Sequence, residues 1–465
     1  MSFMNTSSNT QVRKLNTTTI KTAWRKIAAL TIAASAILPM SANADTDGTV
    51  TINGVVWQYC DKDDVNKTVS IGKSGATGRD GTAMSSGTAL DAADIPWTME
   101  IEGETYTVTK VGAYAFAACY QLSGTLTIPE AVTNIGTRAF WSCKALTGIA
   151  TLGGVTTLGD YAFCYSGVDQ CHLACDFPDL TKVVSYSSGP FVNCVGLTGE
   201  AKLNPNLTAI PYRCFENSAL TKVTIPRTVT SIGEKAFMQT KLTAFLLQGP
   251  TNVLSGTQTY AELNTTDAFS NCDRLKVLLF GKNTKGTNLT KGTMLTSVSG
   301  CTVFVPANGY WDGLVTGGTG NEVIYYGSGR ELDIEMDDAT KTITAWPTTE
   351  HAFMNVLNAA AVLKSEYGWN TRITVTNALE VASGSITAEM LAGVEFNSLL
   401  LMFAVKTQVQ LDSILAAVPS AAMLAIDPTG ATENLTIPQD RALWVYLSGN
   451  GKVQPHIKGL KIIFR

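Results

Sequence analysis

The segment LTKVTIPRTVTSIGEKAFMQT, Leu220 to Thr240, holds two short apolar phrases, a proline, a glycine and an Ala-Phe pair in that order. Leu220, Val223 and Ile225 predict a short strand with one buried face. Pro226 is expected to end it, since proline cannot donate to a continuing ladder. Val229 to Gly233 predicts a second extended piece, with Gly233 permitting a tight corner. Ala236-Phe237 then reads as a short helical or 3-10 turn, Ala giving room and Phe filling the interior.

The same order recurs on both sides of this segment. Ala-Phe or a variant stands at Phe116, Phe140, Phe163, Phe191, Phe215, Phe237 and Phe269, with spacings of 24, 23, 28, 24, 22 and 32 residues. The Val-Thr-x-Ile-Gly phrase reappears as Val108 to Gly112, Val132 to Gly136 and Val155 to Gly159, with Leu207 to Pro211 as a degenerate copy. One such unit cannot bury its apolar side alone, so the units must stack as coils.

These repeats resemble the BspA-type leucine-rich repeats of bacterial surface proteins, whose pattern is similar to Leu-Thr-x-Ile-x-Ile-Pro-x-x-Val-Thr-x-Ile-Gly-x-x-Ala-Phe-x-x-Cys. The resemblance spans roughly Gly103 to Tyr325. Departures are insertions at Cys164 to Asn193 and Gln248 to Asp267, and replacement of the Cys position by Ser218 and Thr240. The fold class expected is an α/β-type solenoid, a leucine-rich repeat array rich in short strands, followed by a small α+β C-terminal domain.

The expected organisation has four parts: a signal peptide over 1–44, an N-terminal capping region over 45–107, repeats over 108–326, and a C-terminal domain of unknown function over 327–465. Arg25-Lys26, the apolar run Ile27 to Met40 and the small residues to Ala44 are the parts of a secretory signal. The run spans about 21 Å as a helix, short of the ~30 Å membrane core. The cap is expected to hold a hairpin around Asn53-Gly54, and Tyr310-Trp311 a closing turn. Beyond Gly327, Leu332 to Met336 and Thr342 to Trp346 predict a hairpin. Ala352 to Leu363 predicts a helix capped by Thr348 or Thr349. Strands are expected at Arg372 to Thr376, Ser398 to Ala404, Ala421 to Ile426, Ala442 to Leu447 and Gly459 to Phe464, and a helix at Leu411 to Val418. Asn434 to Pro438 echoes the repeat phrase, so a degenerate continuation of the solenoid is the competing reading.

Composition narrows the chemistry. The chain has 465 residues, 34 Lys+Arg and 38 Asp+Glu, for a net charge of −4. Its first 44 residues contribute five basic groups and no acid, so the remainder carries −9. That balance leaves no footprint for nucleic acid. His172, His351 and His456 are the only histidines and lie far apart, which disfavours most His-based sites.

Cys119, Cys143, Cys194 and Cys272 each follow an anchor Phe by three residues, and are expected as a ladder of small, buried, mostly reduced side chains. Bridges remain open among Cys164, Cys171 and Cys175. With His172 these form the one metal-like cluster, though adjacent Cys171 and His172 suit a single zinc ion poorly. Gly72-Lys73-Ser74 is rejected as a phosphate loop, because Lys67 stands where a glycine is needed. Asp333, Glu335, Asp337 and Asp338 admit weak calcium binding, but a turn with solvated acids is the better reading. Trp97, Trp141, Tyr165, Tyr186, Tyr212 and Tyr260 are candidate contact aromatics, half or more of them expected to be packing residues.

No catalytic, cofactor-binding or metal residue is assigned, no cofactor is expected, and the binding residues are unknown. The function expected is a monomeric secreted or cell-surface binding protein without catalysis, and the resemblance implies adhesion. Its partner would be an extracellular protein, of host matrix or another bacterial surface, or a glycan. The alternative is a surface glycan-binding or carbohydrate-processing protein with its site in the C-terminal domain, using Asp333, Glu335 or Glu350.

Overall fold

The computed structural model describes residues 47–164, 175–250, 253–254 and 257–374, and shorter segments between 379 and 462 (379–382, 394–398, 401–404, 407–417, 424–427, 435–436, 443–447, 452–455 and 461–462). Met1–Ala44 is a unit separate from Asp45–Arg465 and, with its signal-peptide reading, lies outside the described residues, as do Tyr165, Cys171, His172 and His456.

An antiparallel hairpin opens the fold, Gly48–Ile52 against Val55–Asp63, with Ile52 opposite Val55. Asn53 and Gly54 both take positive φ, at 52° and 78°, as a two-residue hairpin turn requires. Thr68–Ile71 then pairs in parallel with Glu104–Val111 and starts the solenoid. Each coil contributes one strand to each of two parallel faces. One face runs through Asn134–Ile135, Thr157–Leu158 and Ser185–Tyr186, then Ala209–Ile210, Ser231–Ile232, Ala261–Asn264 and Thr284–Thr287. The other runs from Leu90–Asp91 and Leu122–Thr127 through Leu197–Ala201 and Ala219–Val223 to Glu322–Tyr326. The result is a β-solenoid of about ten turns. Ala219–Val223 and Leu122–Thr127 both stop short of their prolines, and Ile225 and Ile128 are buried just past the strand ends.

Inside, the seven anchor rings form one stack. Adjacent centroids from Phe116 to Phe269 lie 5.0, 5.3, 5.8, 6.1, 5.7 and 5.7 Å apart, with planes within 15° of parallel. The stack passes unbroken over both insertions. Trp57 closes it at one end, edge-on to Phe116 at 6.3 Å. Towards the other end Phe245 packs on Phe269, and Trp311 on Phe280 at 4.6 Å.

The Ala-Phe turn is not helical. The residue two before each Phe has φ between 50° and 57° except Tyr114 at 59°, and in six of seven coils it is not glycine. Two residues after the Phe a second left-handed residue follows, as at Ala118, Ser142, Asn193, Asn217, Gln239 and Asn271. This alternation turns every second N–H along the solenoid axis. In the first pair of coils Tyr114, Phe116 and Ala118 donate to the carbonyls of Thr137, Ala139 and Trp141 at 2.8, 2.7 and 2.7 Å. A helical turn would spend those donors on its own coil. The phrase glycine also works differently from expectation. Gly136, Gly159 and Gly233 have no positive φ, but a Cβ on any of them would lie within 2.6 Å of a neighbouring coil's backbone nitrogen. Close approach excludes the side chain.

The position three residues after the Phe is a hydrogen-bond donor. Cys143 Sγ donates to Phe116 O at 3.0 Å, Cys194 to Phe163 O at 3.2 Å and Cys272 to Phe237 O at 3.1 Å. Where the cysteine is replaced, Ser218 and Thr240 donate to Phe215 O and Phe237 O at 2.7 and 2.8 Å. Burial pushes the thiols of Cys119 and Cys301 up to about 12 and that of Cys272 to about 11, so they remain protonated at neutral pH.

Past the array, the hairpin Leu332–Asp337 with Thr342–Pro347 leads into helix α1, Glu350–Tyr367. Thr349 caps it, accepting from Ala352 N–H at 3.1 Å, and Gly368 ends it in the left-handed region. Ala352, Val356, Ala359 and Leu363 share a buried cluster with Ala244, Leu246, Val277, Leu279 and Phe304, the outward residues of the late coils. Parallel strands then fall in two sheets. Asn370–Thr374 and Val394–Ser398 lie in one; Leu379–Ala382, Leu401–Ala404 and Leu424–Asp427 lie in the other. Leu443–Leu447 pairs antiparallel with Lys452–Pro455, and Leu435–Thr436 pairs antiparallel with Lys461–Ile462. Gln408–Ala417 forms a second helix, α2.

Three measurements check this frame. Phe215→Ala removes a fully buried ring from mid-stack and is expected to cost about 3–5 kcal/mol in urea unfolding. Cys194→Val, which leaves Phe163 O without this donor, should lose about 1–3 kcal/mol. His351 bonds Glu322 of the last array strand and, at 3.1 Å, Glu331, and these bonds raise its pKa above 6.5. Its stabilisation is therefore complete below pH 6.5 and lost as pH rises through the raised value. The melting temperature of His351→Gln should fall below that of the parent at pH 6 and converge with it at high pH.

Candidate functional site: the outer edge of the coils

With Ala and Phe turned inward, the residue ahead of them is left on the outer edge of each coil. That row reads Tyr114, Arg138, Tyr161, Gly189, Arg213, Lys235 and Asp267, its six side chains half-buried above a fully buried floor. The left-handed backbone sets the same projection at each position. Arg138 lies between two rings, 5.7 Å from Tyr114 and 5.4 Å from Tyr161, and donates to Tyr114 Oη at 2.8 Å. Further along, the cations are neutralised. Arg213 pairs with the buried carboxylate of Glu216 at 2.7 Å, Lys235 with Glu234 and Asp267 at 3.4 and 3.7 Å, and Lys241 with Asp273 at 3.0 Å.

The candidate aromatics separate clearly. Trp97 and Tyr186 pack against the array core, and burial drives the Tyr186 phenol above its usual range. Trp141 is half-buried under Arg79, whose guanidinium lies 5.5 Å from its ring. Tyr212 is 37% exposed. Tyr260 packs on Tyr310 at 4.8 Å. The outer-edge residues passed over in the sequence are Arg79, Tyr114, Tyr120, Arg138 and Tyr161. For Tyr114, Arg138 and Tyr161 a signal was present: each stands two residues before an anchor Phe.

The candidate carboxylates do not converge. Asp337 builds a turn, accepting from Ala339 N–H at 2.9 Å and Thr340 Oγ1 at 2.8 Å, and these bonds hold its pKa low. Asp338 pairs with Arg227 of the array, Asp333 and Glu335 lie 3.4 and 3.9 Å from Lys282, and Glu350 stands in the first turn of α1. Among the described residues no three potential ligands cluster. Of the cysteine cluster, Cys164 is buried and Cys175 Sγ accepts from Ile149 N–H at 3.4 Å, the other two members being undescribed. Ser74 N–H is taken by Asp47 Oδ1 at 2.8 Å, so the Gly72 loop is closed by a carboxylate of its own chain.

A cleft of about 340 Å³ follows the seam between array and α1, walled by Pro226, Leu246, Tyr367 and Trp369. Its charges answer one another. Arg227 pairs with Asp338, Lys341 lies 3.6 Å from Asp338 and 5.1 Å over Trp369, and Tyr367 Oη donates to Ala244 O at 3.0 Å. This arrangement fastens the C-terminal segment to the array. No helix among the described residues is long and apolar enough to cross a membrane.

Comparison with known proteins agrees with the geometry. The family model for the BspA type leucine rich repeat region matches six copies, over residues 100–198 and 175–286. Among solved structures, the chain is similar to a leucine rich cell surface protein from Faecalibacterium prausnitzii A2-165. Identity is 17%, over 80% of this chain and 98% of that one, with a TM-score of 0.38. It is also similar to a leucine-rich repeat protein from Bacteroides ovatus ATCC 8483, at 15% identity over 86% of this chain and 100% of that one, with a TM-score of 0.30. No curated protein matches. Likenesses this distant leave the assignment to the repeats themselves, whose phrases, stacked rings and six matched copies make residues 100–286 a BspA-type leucine-rich repeat region.

Proposed function

We propose that the chain is exported, with cleavage after Ala44, and acts as a secreted or cell-surface binding protein without catalysis, engaging an extracellular protein through its repeats. The division at 107 and 326 into cap, array and C-terminal domain belongs to the same reading. One observation carries it: the outer row changes chemistry from coil to coil while the ring beneath it stays Phe. A frame that holds its interior constant and varies its outward side chains is built to present a surface. The repeat family, a family of surface proteins, points the same way. Asp333 and Glu335 are taken up by Lys282 and Glu350 stands in the first turn of α1, an arrangement that lends the enzyme alternative no support.

The chain from Asp45, presented to arrays of extracellular-matrix proteins and glycans, is expected to bind a protein saturably. Binding should be unchanged in the triple variant Asp333→Asn, Glu335→Gln, Glu350→Gln. A turnover activity that survives purification and disappears in that variant would overturn this reading. Saturable binding to glycans alone would also overturn it.

A further inference from the structure

The outer edge of the first coils differs electrostatically from the rest of the array. Downstream, the row cations Arg213 and Lys235 each have a carboxylate partner. Upstream, Arg79 and Arg138 have none within 4.0 Å among the described residues. The acids closest in sequence do not serve them. Asp160 accepts from Ser188 N–H at 2.7 Å, and Asp80 is exposed beside Arg79 without pairing to it. Both guanidiniums rest instead on rings. Arg138 is held between Tyr114 and Tyr161, while Arg79 lies over Trp141 and reaches Tyr120 Oη at 3.4 Å. Arg138 and Trp141 share one turn, Trp141 N–H donating to Arg138 O at 3.1 Å, so both groups are anchored on that coil, in one patch that draws on four successive coils, from Arg79 to Tyr161.

Building on the binding function above, we infer that this patch, centred on Arg79 and Arg138, is the contact surface for an acidic polypeptide segment in which carboxylates alternate with apolar side chains. Three features select that partner. The patch carries two unpaired guanidiniums on a chain whose net charge from Asp45 onward is −9, so it is where an acidic partner is attracted rather than repelled. Each guanidinium is a planar fork that matches a carboxylate with two parallel hydrogen bonds, and stacking on rings holds it ready. The rings themselves, with Tyr120 41% exposed, offer apolar area of the kind that dominates protein contacts. A polysulfated glycan is matched by the charge more than by the rings, whereas a polypeptide with apolar side chains between its carboxylates engages both.

The test measures binding of the chain from Asp45 to three immobilised probes: a random Glu/Tyr copolymer, poly-Glu and heparin. The Glu/Tyr copolymer is expected to bind tightest, with an affinity that falls as salt rises. Arg79→Gln with Arg138→Gln should weaken it about tenfold or more, and Arg138→Lys, which keeps charge but loses the fork, should weaken it less. Lys241→Gln, on the paired stretch, should leave it unchanged. Melting temperatures establish that each variant is folded. Trp141→Ala should bring the copolymer down to the affinity of poly-Glu. Heparin binding without copolymer binding would overturn the proposal in favour of a sulfated glycan. Copolymer binding indifferent to the double variant would overturn it outright. Matrix-protein binding that survives the double variant would refute the patch while leaving the general binding function standing.

Discussion

The contact between one phenylalanine ring and the next, 5.0 to 6.1 Å away, is the constraint on which the other features of the array depend. Each interior ring packs on the ring before it and the ring after it, so a coil that slips sideways loses contact on both sides at once. Stacked aromatic pairs contribute about 0.5–1.5 kcal/mol each beyond the area they bury. That spacing, close to the 4.8 Å separation of neighbouring strands, lets ring contact and backbone ladder be satisfied together. The thiol three residues on depends on the same spacing. Cys143, Cys194 and Cys272 reach the carbonyl of the preceding coil's Phe, whereas the shorter Ser218 and Thr240 side chains bond their own.

How much of this was legible in one chain follows from whether a feature repeats. The period, the anchor rings and the two strand faces were readable because seven coils state them independently. The Asn53-Gly54 hairpin and the Thr349 cap were readable because each rests on local chemistry. The left-handed turn was not. Tyr, Arg and Lys at positive φ contradict ordinary preference, and only the neighbouring coil's carbonyls explain them. The covering of the late coils by α1 did leave a signal. Ala244–Leu247 and Val277–Phe280 are apolar at every position, as strands buried on both faces are, where Ala219–Val223 carries Thr221 and Lys222. The patch around Arg138 was the least legible, since Arg79 reaches Trp141 from a different part of the chain.

The C-terminal segment and the array are parts of one packing problem. Beyond Ala244 the outward face of the strand ladder is apolar and α1 lies on it, while at the seam Arg227–Asp338 and the Lys282 pairs join the hairpin to the array. Surface ion pairs of this kind contribute little each, about 0–1 kcal/mol, so the apolar cluster must hold the segment and the charges set its register. His351, between Glu322 and Glu331, makes part of that register dependent on protonation.

The strain in the turns bears directly on how a surface can vary. A non-glycine residue in the left-handed region costs about 1–2 kcal/mol, and the array accepts that cost at most of its turns. The offset comes from the next coil, to which each such residue donates its N–H, as Arg138 does to Asp160 O, Arg213 to Glu234 O and Asp267 to Thr293 Oγ1. The side chain contributes nothing to that bond. Residues as different as Tyr161 and Lys235 therefore take the same φ, within two degrees, and leave their coils in the same direction. Replacing one with another changes the chemistry presented at a fixed point without moving the frame. A run of coils can thus be cationic and aromatic at one end and charge-balanced at the other on a single scaffold.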